Sequence, residues 1–176
     1  MTQTSFSNPE KIKIIDNYLS EKLMSDLEKF LLSNDFPYYY IENIVLGSLG
    51  SKKSDSFMFV HHLIENEKES STVGNSITNM IMSNVPHKNI LRSKINFYLN
   101  TNYLQLHDFH LDNSDNKDIK IAIFYINTNN GFTEFEDNSI VKSVRNRLVL
   151  FPGNLKHRST NTTDKKNRIN ININYI

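Results

Sequence analysis

The chain has 176 residues, 38% hydrophobic and 22% charged, with a formal net charge of +1; that is one domain's worth of sequence, able to bury a core, with no disorder signature and no global field for nucleic acid. It contains no cysteine, which excludes disulfides, thiolate metal sites and cysteine nucleophiles, so a metal would have to be held by His, Asp or Glu. No apolar run has the length of a membrane span, and the opening MTQTSFSNPEK has neither the basic nor the apolar segment of a signal peptide, so the expected location is the cytoplasm.

In chain order, residues 1–10 read as a loose tail and 11–15 alternate as a short strand. Ser20 is placed to cap a helix over 21–32, with Leu23, Met24, Leu27, Phe30 and Leu31 at helical spacing. Asn34-Asp35-Phe36-Pro37 ends it. Residues 38–49 are aromatic and β-branched, hence a strand or a pair of strands; 50–56 read as a turn, 57–63 as extended and 65–71 as a polar loop. A second helix is predicted over 73–85, with Ile77, Met80 and Ile81 on one stripe and Pro86 as its stop. From residue 91 the pattern turns to β, with strands predicted at 93–99, 104–110, 119–126, 132–135, 147–151, 155–159 and 168–175. Asn129-Asn130-Gly131 is a hairpin signal, because Asn-Gly accepts the positive φ angles of a type I′ turn. Pro152-Gly153-Asn154 is another turn. Seven short strands behind two N-terminal helices predict a mostly β, α+β fold with a jelly-roll or barrel core. With no repeat and no linker, 1–176 is expected to be a single domain, 1–90 supporting a 91–176 core.

His110-Leu111-Asp112 places an imidazole and a carboxylate two residues apart, on one side of an extended chain, just before the turn Asn113-Ser114-Asp115-Asn116. His157 must come from another strand, and the Pro152-Gly153 turn reverses the chain so that it can face the first pair. Two imidazoles and one carboxylate form the facial triad of non-haem Fe(II) oxygenases, which leaves metal positions open. An isolated His-x-Asp also arises by chance. His107 cannot share a face with His110 on a regular strand, but a bulge would let it compete as ligand or support the site from behind. His61 and His62 read as surface or core, and His87 as exposed beside Pro86. Small basic clusters at Lys142 to Arg147 and Lys165 to Arg168 read as a solvated face or a local pocket.

Arg168-Ile169-Asn170-Ile171-Asn172-Ile173-Asn174 alternates strictly. Taken alone, it reads as an amphipathic strand with its polar face in water. The functional reading puts that face inside an open barrel, where the guanidinium fork matches a carboxylate through two parallel hydrogen bonds and Asn170 adds a third donor.

These pieces resemble the 2-oxoglutarate/Fe(II) dioxygenase superfamily, in particular its prolyl-4-hydroxylase-like branch, small members of which are frequent in bacteriophage genomes. The matching residues are Asn96-Phe97-Tyr98, His110-Leu111-Asp112, Ala122-Ile123-Phe124-Tyr125-Ile126-Asn127 and Asn130-Gly131-Phe132-Thr133-Glu134-Phe135. They continue with Asn146-Arg147-Leu148-Val149-Leu150-Phe151, His157-Arg158 and Arg168-Ile169-Asn170. Ile14-Ile15-Asp16-Asn17-Tyr18-Leu19 and Asp35-Phe36-Pro37-Tyr38-Tyr39 also look like the family's entry segments.

The resemblance implies a double-stranded β-helix. By that likeness His110, Asp112 and His157 bind Fe(II), Arg168 takes the C5 carboxylate of 2-oxoglutarate with Tyr98 as hydroxyl partner, and Asn170 stands where some relatives have serine. It implies hydroxylation of a protein side chain or small molecule with O2, releasing succinate and CO2, with ascorbate as an accessory reductant. A phage-encoded member would work in the host cytoplasm. Many prolyl hydroxylases carry lysine at the arginine position, so proline is not carried over as substrate. Asp112 favours hydroxylation over halogenation, because halogenating relatives lack that carboxylate. The alternatives are a non-catalytic jelly-roll binding or structural module with a vestigial metal site, and a cupin-like metalloenzyme using no cosubstrate. Beyond 2-oxoglutarate the partner is open; no membrane is expected, and near-neutral charge argues against nucleic acid. Residues 38–63 are expected to shape the substrate mouth, with Tyr39, Tyr40 and His61 as candidates.

Overall fold

Ser20 caps the first helix as its position demands: its Oγ accepts from the Leu23 amide, satisfying one of the N–H groups that a helix start leaves open. Helix α1, Glu21–Leu31, buries Met24, Leu27 and Leu31 and leaves Leu23 and Phe30 exposed. Helix α2, Gly74–Met82, starts one residue later and ends three earlier than the spacing predicts. A Cβ at Gly74 would collide with the Leu63 carbonyl, so glycine is what lets α2 seat on the sheet. The computed structural model describes residues 12–42, 57–112 and 118–176; the predicted tail at 1–10, Lys11, the 43–49 part of the strand prediction and the turns at 50–56 and 113–116 lie outside them. Among the described residues no helix is long and apolar enough to cross a membrane.

Eleven strands are described. They are β1 (Lys13–Ile15), β2 (Tyr39–Ile41), β3 (Met58–Glu65), β4 (Lys68–Glu69), β5 (Ile90–Leu99), β6 (Lys120–Tyr125), β7 (Phe132–Phe135), β8 (Ile140–Lys142), β9 (Arg147–Pro152), β10 (His157–Ser159) and β11 (Asn167–Tyr175). The major sheet runs β1-β9-β6-β11-β5-β3-β2, with β4 hairpinned onto β3; the minor sheet runs β10-β7-β8. All pairings are antiparallel.

Strand β11 lies at the centre, and its alternation sorts the molecule. Ile169, Ile171 and Ile173 are fully buried in one core with α1, α2, Phe124 and Leu148. A second core, built from Ile121, Ile123, Tyr125, Phe135, Val149 and Phe151, includes residues of both sheets. Arg168, Asn170, Asn172 and Asn174 are buried too, so the reading that put this polar face in water is wrong: a second sheet covers it. The approach to α1 is stapled to the sheet by Asn146, whose amide accepts from the Leu19 N–H and donates to its carbonyl, both at 2.8 Å. The basic residues nearby are used the same way: Arg145 pairs with Glu21 and Glu28, and Arg147 with Asp16.

Three sequence predictions need correction. Residues 104–110 form no strand; only Leu106 and His110 make isolated bridges, to Thr160 and His157. Strand β10 is three residues long and already paired to β7, so its other edge has little ladder to offer. Asn129-Asn130-Gly131 is not a hairpin, since β6 and β7 belong to different sheets. There the Gly131 amide donates to Asn129 Oδ1, and a Cβ on Gly131 would strike the Asn161 carbonyl and the Arg168 stem. The glycine marks close packing. The tight two-residue hairpin is instead in the predicted polar loop, where Asn66 and Glu67 take φ of 51° and 63° between β3 and β4, the two positive φ angles of a type I′ turn. Strand β8 was not predicted.

Candidate metal centre

His110 stands where the long loop after β5 bridges to β10, two residues before Asp112; His157 opens β10 and faces it across that bridge. The donor atoms of His110, Asp112 and His157 all lie within 4.8 Å of one another. His110 Nε2 is 3.9 Å from Asp112 Oδ1, and His157 Nε2 is 3.7 Å from Oδ2. Each imidazole is turned by its far nitrogen: Nδ1 of His110 bonds the Asp108 carbonyl at 3.2 Å, and Nδ1 of His157 the Leu155 carbonyl at 3.1 Å. A carbonyl only accepts, so Nδ1 carries the proton and Nε2 points its lone pair inward, the arrangement a metal-binding histidine needs.

Asp112 is held as firmly. Arg92 donates to Oδ1 at 2.8 Å and Asn172 to Oδ2 at 2.9 Å. Burial opposes its charge, but His157, Arg92, His110 and the Asn172 hydrogen bond outweigh burial and hold the carboxyl well below the usual carboxylate range. Burial lowers the His157 pKa against the pull of Asp112, which favours the neutral ring, the state in which it can ligate. A buried carboxylate faced by two imidazole Nε2 atoms suits a divalent ion of intermediate softness.

The three residues line a small cavity, about 40 Å³, shared with Lys94, Asn96, Tyr98 and Asn172. The Arg168 guanidinium carbon lies 5.2 Å from the centroid of the Tyr98 ring and 5.6 Å from that of Tyr125. Arg168 is fully buried. Its Nε donates to Ser143 Oγ at 2.8 Å and its Nη1 to the Thr160 carbonyl at 3.1 Å, while Nη2 is buried without a partner. Among the described residues no carboxylate pairs with it. A desolvated cation with an orphaned N–H is costly unless an anion completes it.

No protein-family model matches the sequence, and no curated protein matches it. Solved structures do. A 2OG-Fe(II) oxygenase family oxidoreductase from Burkholderia pseudomallei is similar with a TM-score of 0.64 at 12% identity, covering 94% of this chain and 85% of that one. A prolyl hydroxylase from Trichoplax adhaerens, solved with a hypoxia inducible factor peptide fragment, gives 0.64 at 16%, covering 96% of this chain and 84% of that one. The viral collagen prolyl hydroxylase of Paramecium Bursaria Chlorella virus-1, solved with 2OG, gives 0.57 at 14%, covering 94% and 96%. The chain has the 2OG-Fe(II) oxygenase fold. At these identities the likeness speaks for the fold alone, and it agrees with the double-stranded β-helix expected from the sequence.

Within that oxygenase fold the other expected residues fall as follows. Tyr98 is buried, its hydroxyl 3.2 Å from Ser159 Oγ. Asn170 Oδ1 accepts from Asn96, so part of its amide is already engaged. His107 is no part of the three-residue cluster; its Nδ1 bonds Ser159 Oγ at 2.8 Å, its ring stacks on Tyr98, and its Nε2 has no partner. Burial, with Arg168 and His110 nearby, pushes its pKa down to about 3. His61 is buried among aromatics, with Nδ1 on the Pro37 carbonyl, away from the cavity lining. Tyr39 and Tyr40 are exposed on edge strand β2 and do not line it either. Sequence reasoning missed Arg92, Lys94, Tyr125, Ser143 and Asn172. Tyr125 and Asn172 share alternation faces with residues that were singled out, and that periodicity was the available signal. Arg92 and Lys94 fall on the β5 face of Asn96 and Tyr98 by the same alternation; Ser143 carries no such signal.

Proposed function

We propose that the protein is an Fe(II)- and 2-oxoglutarate-dependent dioxygenase, working as one domain, that hydroxylates a protein side chain or small molecule and releases succinate and CO2. The observation that carries this is the pairing of an inward-facing His110–Asp112–His157 set with a fully buried Arg168 that no carboxylate among the described residues neutralises, on the central strand of the same fold. A structural module has no use for both at once.

His110, Asp112 and His157 would hold the metal, and Arg168 the distal carboxylate of the cosubstrate, with the Tyr98 hydroxyl beside it and Asn170 along the wall. Iron and cosubstrate together would supply oxygen activation by oxidative decarboxylation, with ascorbate as accessory reductant. The chain's own part is positional: Arg92 and Asn172 fix both oxygens of Asp112, the two backbone carbonyls fix the imidazoles, and Phe135 and Phe151 of the second core pack against the His157 ring. The structural relatives solved with 2OG and with a peptide support the cosubstrate and leave the substrate class wide.

The test is anaerobic addition of Fe(II) and 2-oxoglutarate, read as a weak visible charge-transfer band, followed by succinate formation in air. Asp112→Ala and His157→Ala should lose both. Normal succinate production by purified Asp112→Ala would contradict the assignment.

A further inference from the structure

We infer that Lys94 is the specificity-determining residue of this site and that it receives a carboxylate of the primary substrate. The inference rests on the dioxygenase reading and deepens it.

The wall of the cavity is a two-column ladder. Strands β5 and β11 pair Tyr98 with Arg168, Asn96 with Asn170, and Lys94 with Asn172. Lys94 is four residues from Tyr98, so its backbone stands about 13 Å along the strand from the Arg168 level. Asn172, directly opposite Lys94, is hydrogen-bonded to the metal-facing carboxylate of Asp112. Lys94 therefore sits at the metal's end of the cavity. A five-carbon diacid anchored on Arg168 is shorter than that distance. Bound there, it would reach a metal held by His110, Asp112 and His157 and leave Lys94 to whatever lies beyond, where a substrate would come to offer its C–H.

Lys94 lines the cavity with Asn96 and Asn172, and among the described residues its ammonium makes no hydrogen bond or ion pair. Asp112, the acidic group whose charge acts on it, is already shared between Arg92 and Asn172 and would be shared again with a metal ion. The cation thus lacks an anion of its own. On the same cavity wall stand two buried acceptors without donors, Asn96 Oδ1 and Asn172 Oδ1. The Asn172 orientation is fixed, because its Nδ2 faces a carboxylate that only accepts. A wall that offers one ammonium and two open amide oxygens is complementary to a carboxylate with an N–H close by. Free amino acids carry that group, and so do acidic residues within a peptide.

The experiment is calorimetry on the anaerobic Fe(II)·2-oxoglutarate complex. One arm offers the free L-amino acids against their α-carboxamides. The other offers capped tripeptides with a central Asp or Glu against the same peptides with Asn or Gln. At least one pair should show the carboxylate form binding roughly tenfold or more tightly, the worth of one charge-assisted hydrogen bond. Lys94→Met should erase that preference and Lys94→Arg keep it, with 2-oxoglutarate affinity in both within about twofold of wild type. The arm that responds tells free metabolite from peptide. No preference in any pair, or a preference that survives in Lys94→Met, overturns the inference. So does a loss in Lys94→Met that falls on 2-oxoglutarate affinity, since Lys94 would then serve the cosubstrate. Wild-type protein that fails to bind 2-oxoglutarate with Fe(II) overturns the dioxygenase reading itself, a result distinct from all of these.

Discussion

Replacing Arg168 with methionine separates a functional arginine from a structural one. The side chain is fully buried and no carboxylate pairs with it among the described residues. In the ligand-free protein its removal strands the Ser143 hydroxyl and the Thr160 carbonyl, at about 1–3 kcal/mol each. Against that stands relief of a desolvated charge, worth several kcal/mol. Methionine keeps most of the stem volume that Gly131 packs against. The two contributions nearly cancel, so the ligand-free Tm should move by only a few degrees, at about 2–4 °C per kcal/mol for a chain of this size. Binding behaves differently. Losing one partner of a buried, hydrogen-bonded charge pair costs about 2–5 kcal/mol, or roughly 30-fold to several-thousand-fold in 2-oxoglutarate affinity. Thermal melts with and without Fe(II) and 2-oxoglutarate read both numbers. If Arg168→Met melts far below wild type without ligand yet keeps its 2-oxoglutarate affinity, Arg168 is a core strut and the pocket lies elsewhere.

His107 should make the protein acid-sensitive. Its folded pKa is pushed down to about 3, so between pH 6.5 and 3 the unfolded chain binds a proton that the folded chain refuses, and stability is complete above pH 6.5 and falls on acidification. At about 1.4 kcal/mol per pH unit this amounts to about 2 kcal/mol between pH 6.5 and 5; urea midpoints should show that much less loss in His107→Phe, and an identical loss would refute it. Gly131→Ala should lower Tm through overpacking of about 1–3 kcal/mol. It should also weaken 2-oxoglutarate binding, because the new methyl meets the Arg168 stem. A variant with unaltered affinity would show that the stem has room to give.

Much of this protein is legible in its residue order, because period and chemistry are local. The alternation of residues 168–174 drew β11, the 3.6-residue spacing drew α1, and the His-x-Asp pair with a later histidine named the cluster. Asn129-Asn130-Gly131 misled because a turn signal cannot say whether the strands it joins pair together or part into two sheets. Residues 104–110 misled because a strand needs a continuous partner edge, and β10 is too short to give more than isolated bridges.

What the sequence by itself determined is a set of faces: isoleucines on one side of β11, an arginine and three asparagines on the other. Only the tertiary structure decided that the polar face would be covered, since burial depends on a second sheet assembled from residues between 132 and 159, earlier in the chain. It also decided which groups the cover would leave unpaired. Arg168 Nη2, Asn172 Oδ1 and the Lys94 ammonium become informative through lost water, and desolvation is a property of packed neighbours that a linear string cannot hold.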